Sequence, residues 1–230
     1  MTPQEPSRRA MEPETLTVNG LFVGMPAPLG DGPRRVLSAI RKEPVAADVL
    51  ELGETGLEGD RQADLSVHGG PDKAVYMYPA AHYAYWTSQG YDLEPGGVGE
   101  NASVTGQDEW TVRIGDIWAW GEARVQVSQP RSPCHKFALR AGRKEAVAQM
   151  ISSGLCGWYL RVLRPGRVPS GGVLRLLARD GAAPTVRELF TTSFARDYDP
   201  GLLLHMVSGP ALADQWRAGV LTRLQRTGTD

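Results

Sequence analysis

Glycine and proline interrupt this chain too often for long helices to dominate its fold. The 230 residues include 27 glycines and 17 prolines, and both residue types favour turns and end regular elements. Between these interruptions, apolar and polar residues alternate over short runs, as they do at residues 123–128. Many short strands joined by turns predict a mainly β fold with some helix, closed or nearly closed into a barrel.

The chain divides into three segments. Residues 1–14 contain no apolar run and are predicted to form a disordered leader. A β-barrel domain is expected over residues 15–180. The turn-rich stretch at 180–184 then separates it from a small C-terminal module of three helices over residues 184–228.

The C-terminal segment carries local helix signals. Thr185 and Glu188 have capping-box spacing, and Asp199 followed by Pro200 is a typical start of a second helix. The third helix is predicted from an apolar stripe made by Leu212, Trp216, Val220 and Leu224. Within the barrel segment, Pro79 is expected in the first turn of another helix.

Charge and apolar patterning exclude several classes of function. The formal net charge is −1, and residues 184–230 hold five arginines against five acidic residues. We therefore expect no nucleic-acid binding, although three short helices could form a DNA-reading motif. The sequence has no long uncharged apolar run and no secretory signal, so no membrane association is expected. Two cysteines without a disulfide pattern favour a reducing cytoplasm.

Cys134 is the strongest candidate for a reactive side chain. It follows an alternating strand on a segment that Pro130 and Pro133 stiffen, so the thiol is presented on a rigid arm. Arg131 and Lys136 bring positive charge close to it, and nearby cations favour the thiolate that binds metals or attacks electrophiles. A small buried packing residue is the alternative, and that is how we interpret Cys156.

Three glycine-rich stretches add a possible ligand cradle at residues 53–61, 68–74 and 96–101. Glycine lets backbone amides approach a bound anion, although each stretch could also be a long turn. Together with Arg61 and the basic residues around Cys134, they predict a large anionic cofactor held by the backbone. A soft thiolate suits molybdenum or another thiophilic metal.

Other sites fit less well. A zinc site is not supported, because the two cysteines are far apart and the four histidines show no paired spacing. A hydrolase that uses Cys134 with His68 or His135 as base stays open, but no oxyanion-hole motif accompanies it.

Five motifs resemble, in order, those of the MOSC family, the domain named for the C-terminus of molybdenum-cofactor sulfurases. They lie at residues 56–61, 68–75, 99–101, 114–116 and 128–134. The likeness runs from about Val18 to Ala178. The helical module and the Cys134 segment make the chain most similar to the bacterial branch associated with resistance to hydroxylaminopurine.

The resemblance implies a MOSC-type β-barrel that binds the molybdenum cofactor as a molybdopterin, with Cys134 as the metal ligand. It also implies an oxidoreductase that reduces N-hydroxylated compounds, such as hydroxylated base analogues, with Cys134 and His68 as catalytic residues. The implied cofactor-binding residues are Gly59, Asp60, Arg61, Gly69, Gly70, Asn101, Gln129, Arg131 and Lys136.

Partners follow from the same resemblance. Electrons would come from an external donor protein, because the sequence contains no flavin, nicotinamide or iron–sulfur motif. The other expected partner is a small N-hydroxylated substrate, and the helical module would permit a homodimer. The alternative function is a non-catalytic carrier that delivers the cofactor, or a persulfide on Cys134, to another enzyme.

Overall fold

The computed structural model describes residues 14–30, 35–63 and 69–227. The strands are β1 Thr15–Val23, β2 Ala27–Leu29, β3 Val36–Ser38, β4 Glu43–Pro44, β5 Val49–Gly53, β6 Gly56–Leu57, β7 Val75–Pro79, β8 Ala102–Thr105, β9 Ile117–Trp120, β10 Ala123–Pro130, β11 Trp158–Arg164, β12 Gly166–Pro169 and β13 Gly172–Ala178. The α-helices are α1 His82–Ser88, α2 His135–Ala141, α3 Ala146–Ser153, α4 Val186–Phe194, α5 Pro200–Ser208 and α6 Asp214–Thr227, and Pro71–Lys73 forms a 3-10 turn.

Seven strands pair in a closed ring, in the order β1, β13, β9, β10, β11, β7, β8 and back to β1. The ring closes where Thr15 of β1 lies opposite Arg175 of β13 in an antiparallel pair. The one parallel pair in the ring joins β7 to β8, and α1 lies in the crossover that such a pair requires. Closure leaves no open edge among these strands. The predicted mainly β fold with a barrel is confirmed.

The barrel core follows from the alternation along each strand. In β10, Ala123, Val125 and Val127 are buried, whereas Arg124 is exposed and Gln126 is half-buried. Trp118 and Trp158 on neighbouring strands are also almost fully buried. Burying each large apolar side chain stabilises the fold by about 1.5–3 kcal/mol.

One helix boundary in the barrel segment was predicted wrongly. Pro79 ends strand β7, where it lies opposite Val104, and α1 begins only at His82. All five residues of β7 are buried, so strand pairing continues up to the proline. A proline is accommodated there because the strand end needs no further donor from it.

The three C-terminal helices lie against the barrel. Thr185 and Glu188 form the predicted capping box at the start of α4, and the Asp199 side chain caps α5. Just before α6, the amide of Ala213 donates to the carbonyl oxygen of Ser128 at 2.9 Å. This contact brings the start of α6 to the end of β10, and so to the segment that carries Cys134. The three-helix arrangement is confirmed, and the division into separate domains stays a prediction.

Of the predicted leader, the structure describes only Glu14, whose carboxylate accepts a hydrogen bond from Arg179 at 2.5 Å. None of the helices within the described ranges is both long and apolar enough to cross a bilayer.

Candidate active site

Cys134 stands between a strand and a helix. Strand β10 ends at Pro130, and Cys134 has an extended backbone immediately before α2 begins at His135. Its side chain is half-buried, and it lines two cavities. The second thiol, Cys156, is fully buried, and burial raises its pKa well above the usual value. Cys134 is therefore the thiol that a ligand can reach.

The first cavity is a polar cleft of about 60 Å³ on the barrel side of Cys134. It is lined by Ser38, Ala39, Ile40, Lys42, Gln62, Ala63, Tyr76, Val98, Gly99, Asn101, Arg131, Cys134, Lys136 and Tyr159. Gly99 has a positive φ of 87°, and a Cβ there would lie only 2.6 Å from Ile40 Cγ1. The glycine at this position therefore has a steric reason, because a side chain would push the cleft wall apart.

A buried carboxylate organises one wall of the polar cleft. Asp60 Oδ1 accepts from the Gly24 amide at 2.7 Å and from Lys42 Nζ, and Oδ2 accepts from Gln62 at 3.1 Å and from Asn101 at 3.0 Å. Burial lowers the pKa of Lys42, and the Asp60 carboxylate partly offsets this effect. With four donors on one carboxylate, Asp60 holds its neighbours in place.

Asn101 belongs to the same wall, and its side chain is committed to the protein. Its amide nitrogen donates to Asp60 and to the Phe22 carbonyl oxygen, and its oxygen accepts from the Tyr76 amide at 3.1 Å. These contacts tie the first glycine-rich stretch to the third. Asn101 therefore shapes the cleft, with little remaining capacity to bind a ligand.

Arg131 places a buried positive charge beside Cys134. Its side chain is only 4% exposed, and its guanidinium lies 5.0 Å from the ring centre of Phe137 and 5.7 Å from that of Tyr76. Its Nη1 contacts Met150 Sδ at 3.2 Å. No carboxylate within the described ranges forms an ion pair with Arg131.

A buried charge without a counter-ion is costly, so this guanidinium is suited to an anionic ligand. Half-buried Lys136 lines the same cleft and also forms no ion pair with any described carboxylate. Two cations and a soft sulfur at one cleft have the chemistry to hold an anionic group, such as a phosphate, beside a thiophilic metal.

The second cavity, which we call the chamber, has a volume of about 550 Å³ and lies between the barrel and the C-terminal helices. It is lined by Lys73, Gln129, Ser132, Pro133, Cys134, Tyr159, Ser193, Phe194, Gln215, Trp216, Gly219, Val220 and Arg223. Lys73 Nζ donates to Gln215 Oε1, which links the 3-10 turn to α6 at the chamber wall. Cys134 and Tyr159 line both cavities, so a group bound at Cys134 would be reached from either side.

The structure places the predicted site residues unevenly. Asn101, Arg131 and Lys136 line the polar cleft, and Gln129 lines the chamber. The predicted residues that line neither cavity are Gly59, Asp60, Arg61, Gly69 and Gly70. His68 lies outside the described residues. A role in binding or catalysis stays a prediction for each of these residues.

Sequence reasoning missed Lys42, Lys73, Tyr159 and the chamber residues of α4 and α6. Lys73 stands within the motif at residues 68–75, so that motif could have indicated it. Lys42 and Trp216 carry no local signal, because each reaches the site only through the fold.

Comparison with known proteins agrees with the fold and the motifs. The family model of the MOSC domain matches residues 64–175. The chain is 38% identical to YflK of Bacillus subtilis over 217 residues, which cover 94% of this chain and 98% of that protein. A protein named reductase from Gibberella moniliformis is 36% identical over 151 residues, covering 63% of this chain and 26% of its own length. The crystal structure of YiiM from Geobacillus stearothermophilus superposes with a TM-score of 0.75 at 31% identity, covering 91% of this chain and 99% of that one.

Proposed function

Because the chain belongs to the MOSC family, we propose that it is a molybdenum-cofactor-binding reductase of N-hydroxylated compounds. Cys134 would be the protein ligand to molybdenum. The fungal relative's name, reductase, supports the same class of reaction.

The observation that carries this proposal is the buried guanidinium of Arg131 next to Cys134. A fold that buries a cation without a carboxylate gains when an anion binds there. A molybdopterin is anionic and carries a metal that prefers sulfur ligands. Arg131 offers the positive charge and Cys134 the sulfur, and these two residues stand only three positions apart at the same cleft.

Each cavity would then have its own task. Arg131, Lys136 and Lys42 would hold the cofactor's anionic groups in the polar cleft, and Asp60 would keep Lys42 in position. The bound cofactor would supply the two-electron chemistry that breaks the N–O bond, with two protons taken up and the oxygen released as water. The chamber would admit a small molecule to the other side of Cys134. A separate donor protein would supply the electrons.

The chamber favours a reductase over a carrier. A carrier needs a cofactor site and an exit for its cargo. It has no use for a second cavity of about 550 Å³ on the far side of the metal ligand.

The first test is the metal and pterin content of the full chain, expressed with molybdate in a host that makes the cofactor. We expect about one molybdenum and one pterin per chain, with the metal lost in Cys134→Ala. Cys156→Ala is the matched control, because it removes the buried thiol and should keep the metal. Absence of metal and pterin from the well-folded parent chain would overturn the proposal.

The second test is turnover. Protein that contains molybdenum, supplied with an artificial electron donor, should reduce 6-hydroxylaminopurine, and Cys134→Ala should not. Tight cofactor binding without any turnover would favour the carrier instead.

A further inference from the structure

A run of positive charge lies along helix α2 and the turn that follows it. Residues 131–144 contain five lysines and arginines and no aspartate or glutamate, in a chain whose formal net charge is −1. Lys136 and Arg140 stand four positions apart, so they lie on the same face of α2. Arg143 and Lys144 follow the helix and are exposed. No described carboxylate forms an ion pair with any of these four residues.

Two more arginines border the polar cleft from another part of the chain. Arg41 precedes Lys42 and Arg61 precedes Gln62, and both Lys42 and Gln62 line that cleft together with Lys136. Both arginines are exposed and directly adjoin a residue of the cleft wall, which places them on its outer border. Clustered charge of one sign raises the local potential and attracts a partner of the opposite sign. We call the six cations the basic rim: Arg41, Arg61, Lys136, Arg140, Arg143 and Lys144.

Exposed apolar side chains adjoin the basic rim. Met25 is 61% exposed and Leu37 is 54% exposed, the two highest values among the large apolar side chains that the structure describes. Met25 follows Gly24, whose carbonyl oxygen accepts from the Arg61 amide at 3.0 Å. Leu37 lies on β3, and the partner strand β2 packs against α2. Apolar side chains next to a charged border are typical of a protein–protein interface.

These features favour a protein partner over a nucleic acid. Sites for single-stranded nucleic acid place aromatic rings among their cations, so that bases can stack on them. The exposed aromatic side chains of the described residues lie elsewhere, because Trp110 stacks on Arg187 of α4 and Phe194 lines the chamber. The apolar side chains at the basic rim are aliphatic. A partner that complements this surface is a protein with an acidic face.

The position of the basic rim gives such a partner a role. The proposed reduction needs electrons from outside the chain, and electron-carrier proteins form small, transient interfaces in which charge guides docking. Cys134 lines the polar cleft that the rim borders. A carrier seated on the rim would face Cys134 through this cleft, while the chamber on the other side of Cys134 stays open to the substrate.

We propose that the basic rim is the docking site of a small, acidic electron-carrier protein. In each turnover the reduced carrier gives up two electrons, in one step or through two successive carrier molecules. The substrate takes up these electrons and two protons as its N–O bond breaks, which yields an amine and water. Electrons thus enter from the polar cleft and the substrate from the chamber. This inference rests on the proposed function, because it assigns the partner of that same site.

Docking can be measured on the full chain without cofactor and without turnover. The probe is a plant-type ferredoxin, an acidic carrier, and the control is cytochrome c, a basic one. In calorimetric titrations at low ionic strength, ferredoxin should bind with a Kd below about 100 μM, and cytochrome c should not bind. Raising the ionic strength from about 0.02 M to about 0.2 M should weaken ferredoxin binding at least about tenfold, because salt screens exposed charges.

A pair of double variants tests the location of the charge. Arg41→Glu with Lys144→Glu reverses one cation on each side of the basic rim and should weaken ferredoxin binding at least about tenfold. The matched control is Arg124→Glu with Arg175→Glu, which changes the net charge equally. These two exposed arginines flank Ala119 on the outer face of the barrel. The control should keep ferredoxin affinity within about threefold of the parent chain.

A second pair tests the apolar part of the surface. Leu37→Gln removes an exposed leucine next to the basic rim, and Leu204→Gln removes one of similar exposure on α5, at 54% and 51%. Leu37→Gln should weaken ferredoxin binding about threefold or more, whereas Leu204→Gln should leave it unchanged. Neither variant should unfold at a lower urea concentration than the parent chain, because both leucines are exposed.

Turnover separates docking from chemistry. Protein that contains molybdenum should reduce 6-hydroxylaminopurine with either reduced ferredoxin or reduced methyl viologen, a small donor that needs no docking site. Arg41→Glu with Lys144→Glu should lower the ferredoxin-supported rate at subsaturating ferredoxin at least about fivefold. The same variant should keep the rate with methyl viologen, which shows that the reaction itself is intact.

The outcomes distinguish this inference from the proposed function. Weaker ferredoxin binding in the rim variants alone supports the inference. A ferredoxin Kd weaker than about 1 mM, or equal losses in the rim and control variants, overturns it. An oligonucleotide that binds the rim as tightly as ferredoxin also overturns it, because the rim would then be a general polyanion site. Ferredoxin docking on a chain that takes up no molybdenum would overturn the proposed function alone.

Discussion

Replacing Arg131 with methionine should remove anion binding while leaving the cofactor-free fold intact. The guanidinium is 4% exposed, packs between Phe137 and Tyr76, and has no described carboxylate partner. Methionine is unbranched and flexible, so its side chain can fill the space that the arginine side chain leaves beside Met150.

The size of the stability change in Arg131→Met follows from opposing contributions to the free energy of unfolding. Burying the charge costs several kcal/mol after relaxation, and two desolvated cation–π contacts return about 2 kcal/mol each. A buried methionine side chain contributes about 1.5–3 kcal/mol through its apolar surface. The free energy of unfolding should therefore change by between about 0 and +2 kcal/mol. Removing one member of a buried ion pair would instead cost about 3–5 kcal/mol.

The assay is equilibrium unfolding in urea, carried out on Cys134→Ala protein from a host that does not make the cofactor. Pyrophosphate serves as the anion probe. At ten times its Kd it should stabilise the Cys134→Ala protein by about 1.4 kcal/mol, and it should not stabilise the Arg131→Met double variant. Arg131→Lys, which keeps the charge but not the planar fork, should retain part of the anion effect.

Two results would refute this reasoning. A loss of more than about 2 kcal/mol on Arg131→Met without any anion would show that the guanidinium is a structural element of the fold. Equal stabilisation of both proteins by pyrophosphate would place the anion elsewhere.

Three further predictions concern stability. Burial raises the pKa of Glu100 in the folded protein above its ordinary value of 4.5. The stability that this shift contributes is therefore fully present below pH 4.5 and is lost as the pH rises through the raised folded-state pKa. Glu100→Gln should flatten this part of a pH series of urea titrations, and an unchanged slope would contradict the assignment. Gly157→Ala should lower the free energy of unfolding by at least about 2 kcal/mol, because φ is +65° and the new Cβ would lie 2.3 Å from the Met77 carbonyl oxygen. The control Gly142→Ala has a similar φ of +71° but open space around the new Cβ, so it should cost only about 1–2 kcal/mol. Equal losses of stability in thermal unfolding would count against the close-contact argument. Thr185→Ala should lower the free energy of unfolding by about 1 kcal/mol, because it removes the capping box of α4. Chemical denaturation would detect this loss, and a change below about 0.3 kcal/mol would rule out a stabilising role for the cap.

Local sequence signals gave much of the secondary structure. The Thr185–Glu188 capping box and the Asp199 cap depend only on residues three or fewer apart, so neighbouring sequence suffices to predict them. Alternation along β10 likewise identifies its buried face. Pro79 was misplaced because a proline suits both a helix start and a strand end, and pairing with β8, which the local sequence does not reveal, decides between them.

The site was only partly predictable, because local sequence does not reveal contacts between distant parts of the chain. Cys134, Arg131 and Lys136 share one short segment, so the sequence alone presents them together. Whether Arg131 has a counter-ion depends on every element that packs around it. The glycine-rich stretches were predicted to cradle a ligand, and Val98, Gly99 and Asn101 of the third stretch line the polar cleft. Gly59, Gly69 and Gly70 of the other two stretches line neither cavity.

The sequence by itself determined the β-rich fold, the family and the candidate thiol of Cys134, because each is written in short motifs or in alternation between neighbours. The tertiary structure alone decided that Lys42 pairs with Asp60 and that Trp216 reaches a chamber beside Cys134. Closure of the barrel and docking of α6 on the end of β10 bring residues about 80 positions apart within one cavity. Such contacts depend on which surfaces exclude water together, and no local pattern records that choice.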